Sequence, residues 1–231
     1  MAYKTVSLPE IGEIRLVKNR QARSLKISLA GDGSIRVTLP PWVPYQAGIQ
    51  FAASKKSWIL ENRQQPILLE HGINIGKQHT LYFKKASNQD KIISRLGNSL
   101  LTVSFPNYLE WDNPEVQNKA RLSAQKALKK QAETLLPSRL EDLAQEYNFT
   151  YSSVSVRQLK ARWGSCNSKQ EIVLNYYLMQ LPWALIDYVL LHELSHTKAL
   201  HHGPDFWKVF EAVLPGAKQR RKELKDFKPA I

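Results

Sequence analysis

The chain has 231 residues, and 33 Lys and Arg against 20 Asp and Glu leave a formal net charge of +13. A hydrophobic fraction of 43% with six Trp, nine Tyr and seven Phe excludes a disordered chain, and the single Cys166 excludes an internal disulfide. No window reaches the roughly 20 apolar residues of a membrane span, and residues 1–10 lack an apolar signal core, so the expectation is a cytoplasmic protein with no membrane partner.

Residues 12–18, 24–29 and 34–39 alternate apolar and polar with period two and read as strands, the last two joined at the turn Gly31-Asp32-Gly33-Ser34. Pro40-Pro41 closes this meander. Between 44 and 63, Ile49, Ala52, Ala53, Trp58 and Ile59 recur at helical spacing. Strand-like runs come next at 80–84, 91–94 and 100–105, so residues 1–111 form a β-rich N-terminal region with one helix. A second region, 112–231, opens at Asp112-Asn113-Pro114-Glu115, a helix start with Pro in the first turn. That helix runs to about Tyr147, with Pro137 expected to kink or divide it. Strands at 151–159 and 171–174 flank a loop at 161–168, and three helices complete the chain, the last of them basic.

The most informative run is His192-Glu193-Leu194-Ser195-His196. On a helix, residues four apart differ by only about 40° in direction and about 6 Å in height. Two imidazoles so placed converge on one ion at about 2.1 Å, the distance zinc prefers. Glu193 stands where a metalloprotease keeps the base that deprotonates water. The run succeeds the apolar segment 181–191, and burying two histidines and a glutamate beside it is costly unless a metal or hydrogen bonds satisfy them. Short matches of this kind also arise by chance on solvated helices, and the apolar setting argues against that.

A third ligand has to come from beyond this helix. A continuous helix would carry His202 about 9 Å past His196. The chain must therefore leave the helix and fold back, and Gly203-Pro204 is a fitting stop. His202 lies ten residues after His192, as in the metzincin pattern, but Ala199 stands where that pattern has glycine. His201 and Glu211 are rival ligands.

Other residues have plainer readings. Cys166 has no evident neighbouring base and reads as a bystander thiol, and Asp187 as a cap or surface group. Asp205 either orients a ligand imidazole or simply opens a helix, while Phe206 and Trp207 read as core. The Trp163-Gly164-Ser165-Cys166 loop either borders a substrate cleft, with 171–174 as the edge strand that pairs a peptide, or is a tight turn on the core. The basic residues cluster at 15–26, 126–130 and 218–225 without interleaved aromatics. They read as a solvated basic surface, with non-specific electrostatic contact to nucleic acid as a possible partner.

Several motifs occur together in order: Arg162-Trp163-Gly164-Ser165-Cys166, Leu174-Asn175, Leu181-Pro182, Ile186-Asp187-Tyr188-Val189, the His192 run, His202 and Phe206-Trp207. With these the chain resembles the YgjP-like metallopeptidases, a family of zincin-like metal-dependent hydrolases whose catalytic core is similar to that of SprT-like proteases. The resemblance extends to residues 23–28 and 37–40, so it covers most of the chain. It implies an α+β fold: a β-rich N-terminal meander region with a helix, then a zincin-like helical catalytic domain with a small β-hairpin. It also implies His192, His196 and His202 as ligands of Zn2+ and Glu193 as the catalytic carboxylate. It favours His202 over His201, because the family places its third histidine four residues before the Phe-Trp pair.

The function expected is a zinc metallopeptidase that hydrolyses peptide bonds through a zinc-activated water, with a protein or peptide as substrate. His201, Arg162 and Tyr188 are the candidates to stabilise the oxyanion. The alternatives are a basic nucleic-acid-associated module with a structural zinc and a zinc hydrolase of non-peptide amides. A carboxylate beside the first ligand has no use in a structural site, which favours catalysis.

Overall fold

The computed structural model describes residues 3–29, 33–62, 67–227 and 231. Among them the chain forms a mixed α+β fold with six α-helices and three mixed sheets. It divides into two compact units, Met1–Ile67 and Leu68–Ile231.

In the first unit, β1 (Tyr3–Leu8), β2 (Gly12–Lys18), β3 (Lys26–Leu29) and β4 (Ile35–Leu39) lie in the order β1-β2-β4-β3. The meander expected from the sequence is corrected here, because β2 and β4 pair in parallel and β3 takes the edge. The reason lies in the side chains. Ile14 stands opposite Ile35 and Leu16 opposite Val37, all four buried, so pairing the two most apolar strands completes one core face. Of the turn read between β3 and β4, Gly31 and Asp32 lie outside the described residues. The helix read over 44–63 is two helices, α1 (Tyr45–Ser54) and α2 (Lys56–Asn62), broken at Lys55.

The second unit repeats that connectivity without a visible sequence repeat: β5 (Asn74–Ile75), β6 (His79–Ala86), β7 (Ile93–Leu96) and β8 (Leu100–Pro106) run in the order β5-β6-β8-β7, with β6 and β8 parallel. This sheet packs on α3 (Pro114–Glu146), and Leu81, Val103, Ala120, Leu128, Ile186 and Leu190 belong to one core. Residues 68–111 therefore share a core with the helices C-terminal to them, and the compact units do not part at 111/112.

Asn113 caps α3 by accepting the Glu115 N–H at 2.9 Å, with Pro114 in the first turn. Pro137 does not divide the helix. The carbonyl it leaves unpaired belongs to the exposed Glu133, while Leu136 and Leu140 beside it are fully buried and hold the turn. The same helix buries glutamines. The Gln131 side chain accepts the Lys77 N–H at 2.7 Å and donates to the Ile75 carbonyl and the His79 ring, each at 2.8 Å.

The third sheet carries β9 (Ser153–Arg157), β10 (Gly164–Cys166) and β11 (Glu171–Asn175) in the order β10-β11-β9. The reading of 171–174 as an edge strand is thus corrected: β11 is central, antiparallel to β10 and parallel to β9. Its buried Ile172 and Leu174 draw it inward, and the edge falls to β10, which the sequence presents as loop. The small hairpin expected here is the β10–β11 part of this three-stranded sheet. A 3-10 turn at Tyr176–Gln180 leads to α4 (Trp183–Ser195), α5 (Pro204–Val213) and α6 (Ala217–Asp226). No helix among the described residues is long and apolar enough to cross a membrane.

Candidate metal centre

The apolar sequence of α4 buries nearly every residue from Leu185 onward, so its last turn delivers His192 and Glu193 into the interior of the second unit. The helix stops at Ser195 and the chain turns back. The backbone of Ala199 avoids the left-handed region, which explains why no glycine is needed at that position. Its carbonyl accepts the Nδ1–H of His196 at 3.1 Å. A carbonyl only accepts, so this bond fixes the His196 tautomer and leaves its Nε2 lone pair free for an ion. The turn also brings His202 back to the end of α4. His202 Nε2 lies 3.0 Å from His192 Nε2, and His196 Nε2 lies 3.2 Å from the same atom.

That convergence fits a metal. Bonds of about 2.0–2.1 Å in tetrahedral geometry hold ligand nitrogens about 3.3 Å apart. The three histidines are the group of His, Cys, Asp and Glu side chains whose ligand atoms cluster among the described residues, all within 4.8 Å of one another. Their rings rest on Phe206, fully buried in α5, whose centroid is 4.9, 4.6 and 4.8 Å from those of His192, His196 and His202. The core reading of Phe206 stands, and its position as a floor under three imidazoles adds to it.

The electrostatics agree with a cation. Burial pulls His192 down to about 3, helped by the charges of His196, His202 and Arg221. His196 is lowered as well, again chiefly by burial. Both imidazoles are therefore neutral, as ligands must be. Glu193 is 4% exposed, and its Oε2 has no hydrogen-bond partner among protein atoms. Burial pushes its carboxyl up to about 8, against the pull of the Arg162 guanidinium. A buried carboxylate with an unpartnered oxygen beside three convergent imidazoles is costly alone, and a dication held by the three histidines would offset that cost.

These residues line a cleft of about 660 Å3, whose walls include β10, Arg162, Tyr188, Trp207 and Arg221. Cys166 is on this wall, its thiol pushed up to about 11 by burial and by the Glu193 charge, which suits a bystander. Of the rival ligands, Glu211 accepts the Gly216 N–H at 3.1 Å, and neither it nor His201 joins the cluster. Asp205 sits in the first turn of α5. Asp187, read as a cap or surface group, instead accepts both Arg139 Nε and Nη2 at 2.8 Å and ties α4 to α3. The sequence reading misses Arg221, which belongs to the basic run 218–225 and carries no local sign that α6 meets the cleft.

The family described as YgjP-like, metallopeptidase domain, matches the chain over residues 23–227. Among solved structures, the metallopeptidase zymogen abylysin of Pyrococcus abyssi is 28% identical, with 39% of this chain and 91% of that one covered and a TM-score of 0.36. The metallopeptidase zymogen jannalysin of Methanocaldococcus jannaschii is 22% identical over the same shares, with a TM-score of 0.34. No curated protein matches.

Proposed function

Because the chain belongs to the YgjP-like metallopeptidase family and is a metal-dependent hydrolase, we propose that it is a zinc peptidase in which His192, His196 and His202 hold the ion and Glu193 is the general base. The observation that carries this reading is the convergence of three Nε2 atoms next to a buried carboxylate with an unpartnered oxygen. Zinc held there supplies Lewis acidity, lowering the pKa of water toward about 7 and polarising a carbonyl. Glu193 accepts the proton of the attacking water on a carboxylate oxygen and returns it to the nitrogen of the leaving amine. Burial raises its basicity against the opposing pull of Arg162, leaving it near neutrality, where one carboxylate can take and give a proton. The free edge of β10 supports an extended peptide as substrate, held by backbone hydrogen bonds as an added strand. Arg162 and Tyr188 on the cleft wall are the candidates to stabilise the oxyanion.

The test is Glu193→Gln in zinc-loaded protein. Zinc content at the wild-type level with peptidase activity lost is the expected result, and unchanged activity rejects the assigned base. Removal of zinc by a chelator abolishes cleavage and added zinc restores it. The +13 charge further supports a sequence-independent attraction to polyanions such as nucleic acid. Binding to generic duplex DNA that weakens steeply with salt is the expected sign, and no binding at low salt removes that partner.

A further inference from the structure

The cleft is more basic than the proposed chemistry requires. Its walls carry two guanidinium groups, Arg162 just before β10 and Arg221 on α6, and Glu193 is the only carboxylate lining it among the described residues. Neither arginine forms an ion pair with a carboxylate among the described residues. Arg221 stands 5.9 Å above the Trp207 ring centroid, and its charge is felt by both His192 and Tyr188. Glu211, whose charge acts on Tyr188 against that of Arg221, accepts the Gly216 N–H and does not line the cleft. Arg162 is felt by Glu193 in the same way. With a dication at the histidines, the positive charges of the cleft exceed the negative by three, and a low-dielectric hollow focuses such a field. A guanidinium lying over an indole is preordered, and its fork of N–H donors matches a carboxylate.

We propose that Arg221, supported by Arg162, forms a carboxylate subsite, so that the preferred substrates are peptides with an acidic side chain or a free C-terminal carboxylate close to the cleaved bond. The proposal rests on the peptidase reading and names its substrate class. An acidic side chain and a chain terminus offer the same chemistry, and the experiment separates them.

The zinc-loaded full chain is assayed on three otherwise identical peptides with Glu, Gln or Lys beside the scissile bond, each as free acid and as C-terminal amide. The expected result is a kcat/KM roughly tenfold higher for the Glu peptide than for Gln, or for acid than for amide, the preference shrinking as salt is raised. Whichever pair differs identifies the source of the carboxylate. Arg221→Gln should bring the favoured ratio to within about twofold of unity, acting through KM, while Arg221→Lys retains part of it. Equal kcat/KM across the peptides in the wild type, or a preference that persists in both Arg221→Gln and Arg162→Gln, overturns the proposal. Calorimetric binding of the same peptides to zinc-loaded Glu193→Gln keeps the two readings apart. Selective binding of the acidic peptide with no cleavage by the wild type removes the peptidase reading and leaves the subsite standing. Cleavage without preference removes the subsite alone, and neither binding nor cleavage removes both.

Discussion

Gly164 lies against Glu193 so closely that a β-carbon on it would come within 2.7 Å of Oε1 and 2.8 Å of Cγ. The edge strand and the end of α4 are therefore fitted together at one position where only a hydrogen leaves room. The carboxylate occupies the space that any side chain at 164 would take, and Glu193, only 4% exposed, could yield only toward the cleft it lines. Gly164→Ala should push the carboxylate from its place while leaving the three imidazoles untouched. The expected outcome is a fall of about 10–1,000-fold in kcat with zinc content unchanged, since misplacement of about 1 Å is costly to catalysis. Steady-state kinetics beside metal analysis checks it, and undiminished kcat contradicts the fit.

Phe206 does for the imidazoles what Gly164 does for the carboxylate. Its ring is fully buried and touches all three histidines. Phe206→Ala should destabilise the fold by about 3–5 kcal/mol and weaken zinc binding about 10–100-fold, as loss of support around ligands does. Phe206→Leu, which restores most of the volume, should recover stability more fully than affinity. Denaturant titration with a zinc competition assay separates the two effects, and wild-type affinity in Phe206→Ala would refute the supporting role.

What can be read from the sequence here depends on how local the cause is. The spacing of His192 and His196 and the helix start at Asn113-Pro114 each act within a few residues, and each is visible before folding, whereas Gly203-Pro204, read as a stop, opens α5 after α4 has already ended at Ser195. The parallel pairing of β2 with β4 and the exchange of roles between β10 and β11 are decided by distant partners. Gly164-Ser165-Cys166 has no apolar alternation to mark it as a strand, and it becomes one because β11 needs a neighbour. Arg221 sits in a run that resembles any solvated helix, and its place on the cleft comes from how α6 packs against α4. Pro137 misleads because its cost falls on an exposed turn while the buried leucines around it hold α3.

Gln131 is equally hidden, since a glutamine in a charged helix reads as solvent-facing. It is 1% exposed, and its amide joins α3 to β5, to β6 and to the turn between them. Gln131→Ala leaves two backbone N–H groups and a carbonyl without their partner, an expected loss of about 2–4 kcal/mol. Thermal unfolding measures it. A loss below about 0.5 kcal/mol would mean that water replaces the amide without penalty.

Without its ion the centre should turn into a liability whose size depends on pH. The Glu193 carboxyl rises from 4.5 to about 8 on folding, so its contribution is complete below pH 4.5 and is lost as pH climbs through 8. His192 falls from 6.5 to about 3, so its contribution is complete above pH 6.5 and is lost as pH drops through 3. The two windows oppose each other between pH 4.5 and 6.5, where the metal-free protein should be most stable as far as these groups decide. From pH 6.5 to 8 only Glu193 acts, with a slope of up to about 1.4 kcal/mol per pH unit toward lower stability. Added zinc, if held by the three histidines as proposed, should reverse that trend, because binding competes with protons and strengthens as pH rises. Unfolding of chelator-treated protein at about pH 5, 6.5 and 8, with and without added zinc, tests the pattern. Glu193→Gln should flatten the metal-free decline above pH 6.5, and an unchanged decline in that variant would assign the loss to other groups.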